Sequence, residues 1–113
     1  MSQITTHILD TAKGVPAQGV HLVLEAFSSD NTWIQLAEGI TNADGRVSDL
    51  LKTDVLLSPG IYRMTFETSA YFTKQGLKSF YPYVQITFEV SDPRHYHIPL
   101  LLSPYGFTTY RGS

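Results

Sequence analysis

The sequence predicts an all-β fold: a two-sheet antiparallel β-sandwich of seven to eight strands with one short helix. Three observations carry that expectation. Short runs of apolar/polar alternation recur along the chain and are separated by Gly, Pro, Asn and Asp turn signals. Only Ser69 to Gln75 carries helix signals at both ends. A length of 113 residues with a hydrophobic fraction of 42% is enough for one core and too little for two, so residues 1–113 are expected to form a single domain.

Ile4 to Asp10 places Ile4, Thr6 and Ile8 on one face and Thr5, His7 and Leu9 on the other, before Lys13-Gly14-Val15-Pro16 breaks the run. His7 is therefore mid-strand. Val20, Leu22, Leu24 and Ala26 alternate with His21, Val23, Glu25 and Phe27, and the polar turn Ser28-Ser29-Asp30-Asn31 leads by a hairpin into a third strand. That strand runs from Thr32 to about Ile40, with Ile34 and Leu36 expected inward, and ends at Thr41-Asn42-Ala43-Asp44-Gly45-Arg46, where Asp44-Gly45 is a strong turn signal. Arg46 to Leu51 is expected to form a short fourth strand, followed by a turn at Leu57-Ser58-Pro59-Gly60. Gly60 to Thr68 reads as a strand with Tyr62, Met64 and Phe66 inward. Ser69 is expected to cap a helix of about two turns that carries Lys74 in its last turn and stops at Gly76. After the aromatic loop Phe80-Tyr81-Pro82-Tyr83, Val84, Ile86, Phe88 and Val90 alternate with polar residues, and Ser91-Asp92-Pro93-Arg94 turns the chain again. In the penultimate strand Tyr96, Ile98, Leu100 and Leu102 read as core, which leaves His95, His97, Pro99 and Leu101 on the outward face. Pairing with the last strand through the Ser103-Pro104 turn would gather His97, Leu101, Thr108 and Tyr110 on one surface, a mixture of apolar and functional groups that marks an interface.

Composition excludes several functions. The net charge of -2 and the absence of any Lys/Arg run supply no field for a phosphate backbone, so no nucleic-acid partner is expected. With no cysteine there is no disulfide, thiolate metal site or Cys nucleophile. Residues 1–9 lack a basic n-region and an apolar h-region, and no apolar run reaches spanning length. The expectation is a complete, cytoplasmic chain with no membrane partner. The charged fraction of only 16% hints at surface covered by association.

There is no Gly-x-Ser-x-Gly elbow and no Gly-rich phosphate loop, so the reactive groups reduce to four histidines, a few arginines and scattered carboxylates. Histidine titrates near neutrality and suits proton transfer. Taken alone, His7 reads as a polar residue on an edge strand, His97 as an interface histidine bonded to a carbonyl, and Arg46 as a solvated arginine at a strand start. Arg111 and the Ser113 carboxylate read alone as a tail salt bridge, worth little if exposed.

Four stretches change that reading. The ending Tyr110-Arg111-Gly112-Ser113 resembles the C-terminal signature of 5-hydroxyisourate hydrolases, the transthyretin-related proteins of urate breakdown. Thr5-Thr6-His7-Ile8-Leu9-Asp10-Thr11-Ala12-Lys13-Gly14-Val15-Pro16-Ala17 resembles the family's N-terminal segment, and His95-Tyr96-His97-Ile98-Pro99-Leu100-Leu101-Leu102-Ser103-Pro104-Tyr105 its penultimate strand and turn. Thr41 to Arg46 also resembles the segment that bears the family's active-site arginine, which maps onto Arg46.

The resemblance implies a transthyretin-like sandwich and hydrolysis of a purine-derived small molecule, 5-hydroxyisourate, by opening of its N1–C6 bond. It implies no cofactor and no metal. His7 and His97 would form a histidine relay that activates water and returns a proton to the leaving nitrogen. Arg46 would stabilise charge on the C6 oxygen, while Tyr110, Arg111 and Ser113 would orient the heterocycle alongside His7 and Arg46. His21 and His95 fall outside the family's functional positions and are expected at the surface. The family assembles as a homotetramer, a dimer of dimers with active sites where the dimers meet.

Three alternatives belong beside this reading. A metallohydrolase could use His95 and His97 as ligands with His7 as a third. A carrier of small ligands would follow from transthyretin itself, although hormone carriers lack the set His7, Arg46, His97 and the Tyr-Arg-Gly-Ser ending. A structural module of the same fold is the third.

Overall fold

Alternation becomes two sheets wherever one face of a strand can be buried. The computed structural model describes residues 2–113. The elements in chain order are β1 (Ile4–Asp10), β2 (Val15–Pro16), β3 (His21–Phe27), β4 (Trp33–Ile40), β5 (Gly60–Phe66), α1 (Thr68–Thr73), β6 (Val84–Val90), β7 (Tyr96–Ser103) and β8 (Gly106–Thr109). One four-stranded sheet has the order β2-β1-β7-β8 and the other β4-β3-β5-β6. Ile4, Ile8, Leu22, Leu24, Met64, Phe66 and Leu100 are fully buried between the sheets, and Phe72 of α1 joins them. These are the faces that alternation assigns to the core in β1, β3, β5 and β7. No helix among the described residues is long and apolar enough to cross a membrane.

All pairings but one are antiparallel. β1 and β7 run parallel, with Thr5 opposite His97 and His7 opposite Pro99. A parallel pair cannot be closed by a hairpin, and here the two strands come from opposite ends of the chain. The pairing carries Thr5 and His7 onto the outward face of their sheet beside His97, since Ile4, Thr6 and Ile8 are turned into the core.

Three local expectations need correction. Ile34 and Leu36 are not inward: they are 52% and 42% exposed. The β3–β4 register shifts between Leu24 and Glu25, so Leu24 pairs with Ala37 while Glu25 pairs with Gln35, and Leu36 is left over; Ile34 pairs with Ala26 but stays half exposed because β4 is an edge strand. Arg46 to Leu51 does not form a strand. Arg46 makes a single bridge to His7, and Asp49, at φ 55, turns the chain away before a ladder can extend. Ser69 lies inside α1, whose N-cap is Glu67 without a side-chain cap hydrogen bond. Gly76, at φ 72, stands past the helix end as expected.

Candidate active site

The turn after β4 fixes Arg46. The Asn42 side-chain oxygen accepts from the backbone N–H groups of Asp44 (2.9 Å) and Arg46 (3.1 Å), the Asx geometry by which asparagine closes a turn. Gly45 adopts φ 75 and its carbonyl accepts the Ile8 N–H at 2.9 Å, which locks the turn against β1. A Cβ at position 45 would run into the Ile8 carbonyl oxygen, so both the conformation and the close approach require glycine. Arg46 then stands beside His7, Nη2 lying 3.3 Å from Nδ1. A guanidinium only donates, so His7 Nδ1 accepts and the neutral ring carries its proton on Nε2.

On β7, His97 Nδ1 lies 2.7 Å from the Thr5 hydroxyl, and Nε2 of His95 lies 2.7 Å from the same oxygen. The terminal segment closes over His97: Gly112 N–H donates to the His97 carbonyl at 2.9 Å. A Cβ at 112 would lie 2.5 Å from His97 Cδ2, so only glycine passes this close to the ring.

Arg46, His95, His97 and Ser113 line one cleft of about 610 Å³, together with Ser2, Thr5, Thr6, Asn42, Asp44 and the 47–49 segment. His7 is not among the lining residues and reaches the cleft through Arg46. Tyr110 and Arg111 face a neighbouring cleft of about 280 Å³ between β6 and β7, which shares only His97 with the first. There Arg111 stacks its guanidinium 4.4 Å from the Tyr96 ring centre. Within one chain, then, Arg46, His97 and Ser113 converge, His7 adjoins them, and Tyr110 and Arg111 stand on the far side of His97.

Burial holds both histidines below their ordinary pKa. For His97 the Arg46 charge, then His95 and His7, push the same way. For His7 burial is again the largest cause and Arg46 the next, opposed by Asp44. Both rings are therefore neutral at pH 7, the state in which an imidazole can accept a proton.

His21 pairs with Glu38 at the surface, as expected. His95 does not behave as a surface residue: it is half-buried, lines the cleft and bonds to Thr5, because the parallel register sets Thr5 beside His97. Thr5 also has a place in the site that its residue type does not announce. The sequence signal for it was the alternation placing Thr5 on the His7 face; the missing part was the strand partner. Among the described residues no group of three or more His, Asp or Glu is arranged to hold a metal ion, and His95 and His97 both turn a ring nitrogen to Thr5 instead.

Residues 4–112 match the model of the HIUase/Transthyretin family. The chain is 46% identical over 114 residues to 5-hydroxyisourate hydrolase of Mus musculus, covering 99% of this chain and 96% of the mouse protein. Among solved structures, Klebsiella pneumoniae 5-hydroxyisourate hydrolase superposes with a TM-score of 0.84 at 39% identity, covering 97% of this chain and 98% of that one. Sea bream transthyretin in complex with thyroxine superposes with a TM-score of 0.92 at 36% identity, covering 97% and 94%. Fold likeness to both an enzyme and a thyroxine-binding protein leaves the chemistry to the site. On sequence and structure together, the chain belongs to the HIUase/Transthyretin family.

Proposed function

We propose that the chain is a hydrolase of purine breakdown that opens the N1–C6 bond of 5-hydroxyisourate, giving 2-oxo-4-hydroxy-4-carboxy-5-ureidoimidazoline. Likeness to hydrolases over nearly the full length of both chains supports the activity. The observation that carries the site assignment is the meeting of Arg46, His97 and Ser113 in one cleft, with His7 held on Arg46.

The hydrogen bonds support a division of labour between the two histidines. His7 accepts from Arg46 and so presents Nε2–H, a donor that orients a carbonyl-rich heterocycle. His97, neutral and beside a cleft, accepts a proton from water as the oxygen attacks C6, and the resulting imidazolium returns it to N1 as the N1–C6 bond breaks. Arg46 stabilises the negative charge that develops on the C6 oxygen. Ser113 contacts the substrate inside the cleft, and Tyr110 and Arg111 reach it from an adjoining subunit or by movement of the tail. The adjoining subunit belongs to a homotetramer in the cytoplasm, with residues 1–113 folded as one domain. No cofactor or metal takes part. The carrier reading is not favoured, because the hydrolases of mouse, fission yeast and Salmonella match at 46–47% identity, above the 36% of the thyroxine-binding neighbour.

The test is the ultraviolet decay of 5-hydroxyisourate, generated freshly from urate with urate oxidase, against its spontaneous background. Wild type accelerates the decay. His97→Asn loses roughly 10²–10⁴-fold and Arg46→Ala roughly 10²–10³-fold in kcat. A folded wild type without acceleration overturns the hydrolase reading; near-wild-type turnover in either variant overturns that residue's role.

A further inference from the structure

Thr5 offers one hydroxyl proton to two imidazole nitrogens, each 2.7 Å away. At most one of them can receive it, so at least one ring must donate an N–H to the Thr5 oxygen. Three arrangements satisfy this: one leaves His97 Nδ1 bare, and the other two leave Nε2 bare. If Thr5 donates to His97 Nδ1, the neutral ring holds its proton on Nε2 and cannot accept one there. If His97 Nδ1–H donates to Thr5, Nε2 is left as a lone pair.

Two observations favour the second direction. His7, the other imidazole at the site, already presents N–H because Arg46 occupies its Nδ1, so His97 is the imidazole left to supply an acceptor. A bond from His97 Nδ1–H to Thr5 is also the same bond in neutral and protonated His97, so nothing must rotate when the ring takes up a proton; the opposite direction would force the hydroxyl to turn. Thr5 is well suited to hold such a bond. It is β-branched and stiff at χ1, and it sits mid-ladder directly opposite His97.

We propose that Thr5 and His95 are positioning residues for His97: His97 Nδ1–H donates to Thr5 Oγ1, Thr5 donates its proton to His95 Nε2, and Nε2 of His97 is thereby kept bare for catalysis. The two Thr5 contacts stand on geometry alone, while the choice of an acceptor at Nε2 rests on the hydrolase reading. His95 acts by taking the Thr5 proton, so that the Thr5 oxygen has only lone pairs to offer His97.

The experiment combines imidazole nitrogen NMR with steady-state kinetics on wild type, Thr5→Val, Thr5→Ser, His95→Leu and His95→Gln. The nitrogen shifts of His97 at neutral pH report its tautomer directly. Wild type is expected to show protonated Nδ1 and bare Nε2. Thr5→Val and His95→Leu shift the population toward Nε2–H and lower kcat by about 10²-fold, the low end of what a positioned base contributes, with KM little changed. Thr5→Ser keeps the hydroxyl and His95→Gln keeps an acceptor, and each recovers most of the loss relative to its apolar counterpart, which separates positioning from simple damage to the fold. A wild-type His97 protonated on Nε2 overturns the proposal, as does an unchanged tautomer and kcat in both Thr5→Val and His95→Leu. If wild type shows the expected tautomer yet no hydrolysis, the positioning stands and the hydrolase reading falls.

Discussion

Two neutral imidazoles beside an arginine have a signature in pH. In an unfolded chain His7 and His97 titrate near 6.5, whereas burial and Arg46 lower both in the folded protein. Between the lowered values and about 6.5 the unfolded chain binds more protons, so stability falls as pH drops through that window and the contribution is complete above it. Activity follows the same groups: kcat/KM is expected to hold level through pH 6.5 and to fall only at lower pH. A pH profile with its acidic inflection at or above 6.5 would remove His97 from the role of base. At this scale sequence legibility was uneven. Motifs nominate His7, Arg46 and His97 as site candidates, because each motif is local. Thr5 and His95 could not be joined to them, because their roles depend on which strand lies beside β1, and alternation reports a residue's face without its neighbour.

Two glycines tie elements to the site. Gly112 passes against the His97 ring where a Cβ would come within 2.5 Å of Cδ2. The tail around it is largely exposed, so Gly112→Ala is expected to displace the tail or the ring and lower kcat while leaving the melting temperature nearly unchanged. Parallel measurements of kcat and Tm check this; equal losses in both would make the tail a structural strap only. Gly45 is the opposite case. Its φ of 75 and its contact with the Ile8 carbonyl couple the Asp44-Gly45 turn to β1, so Gly45→Ala should cost stability as well as activity, roughly 1–3 kcal/mol in a denaturant titration. That turn was legible, since Asp-Gly is a signal in itself, but the strand expected after it was not there. Leu50 and Leu51 are buried, but from a loop rather than from the strand expected over Arg46 to Leu51. The bulge opposite Leu24 misled in the same way for Leu36, the extra residue in β4, because periodicity carries no mark of an insertion.

For the molecule as a whole, the sandwich was the most legible feature, because seven alternating runs constrain one another more than any single run constrains itself. The exposed surface points to association. Leu101 and Thr108 pair across β7 and β8 on the sheet face that also carries His7 and His97, and Tyr110 beyond them is 58% exposed. Sedimentation velocity is expected to show a four-chain species, and dilution that yields single chains should lower specific activity if Tyr110 and Arg111 reach the cleft of another subunit. Single chains with full activity would remove the assembly from the mechanism. The parallel pairing of β1 with β7 also bears on how the protein comes into being. Thr5 meets His97 across 92 positions of sequence, so during translation the first strand emerges early and waits for its central partner until nearly the whole chain has been made. Through that interval Ile4 and Ile8 lack the core they end in, and an unpaired strand edge is open to any neighbouring nascent chain. Long-range closure of this kind is slow, so the exposed edge of β1 is the part of the nascent chain with the longest wait for its partner.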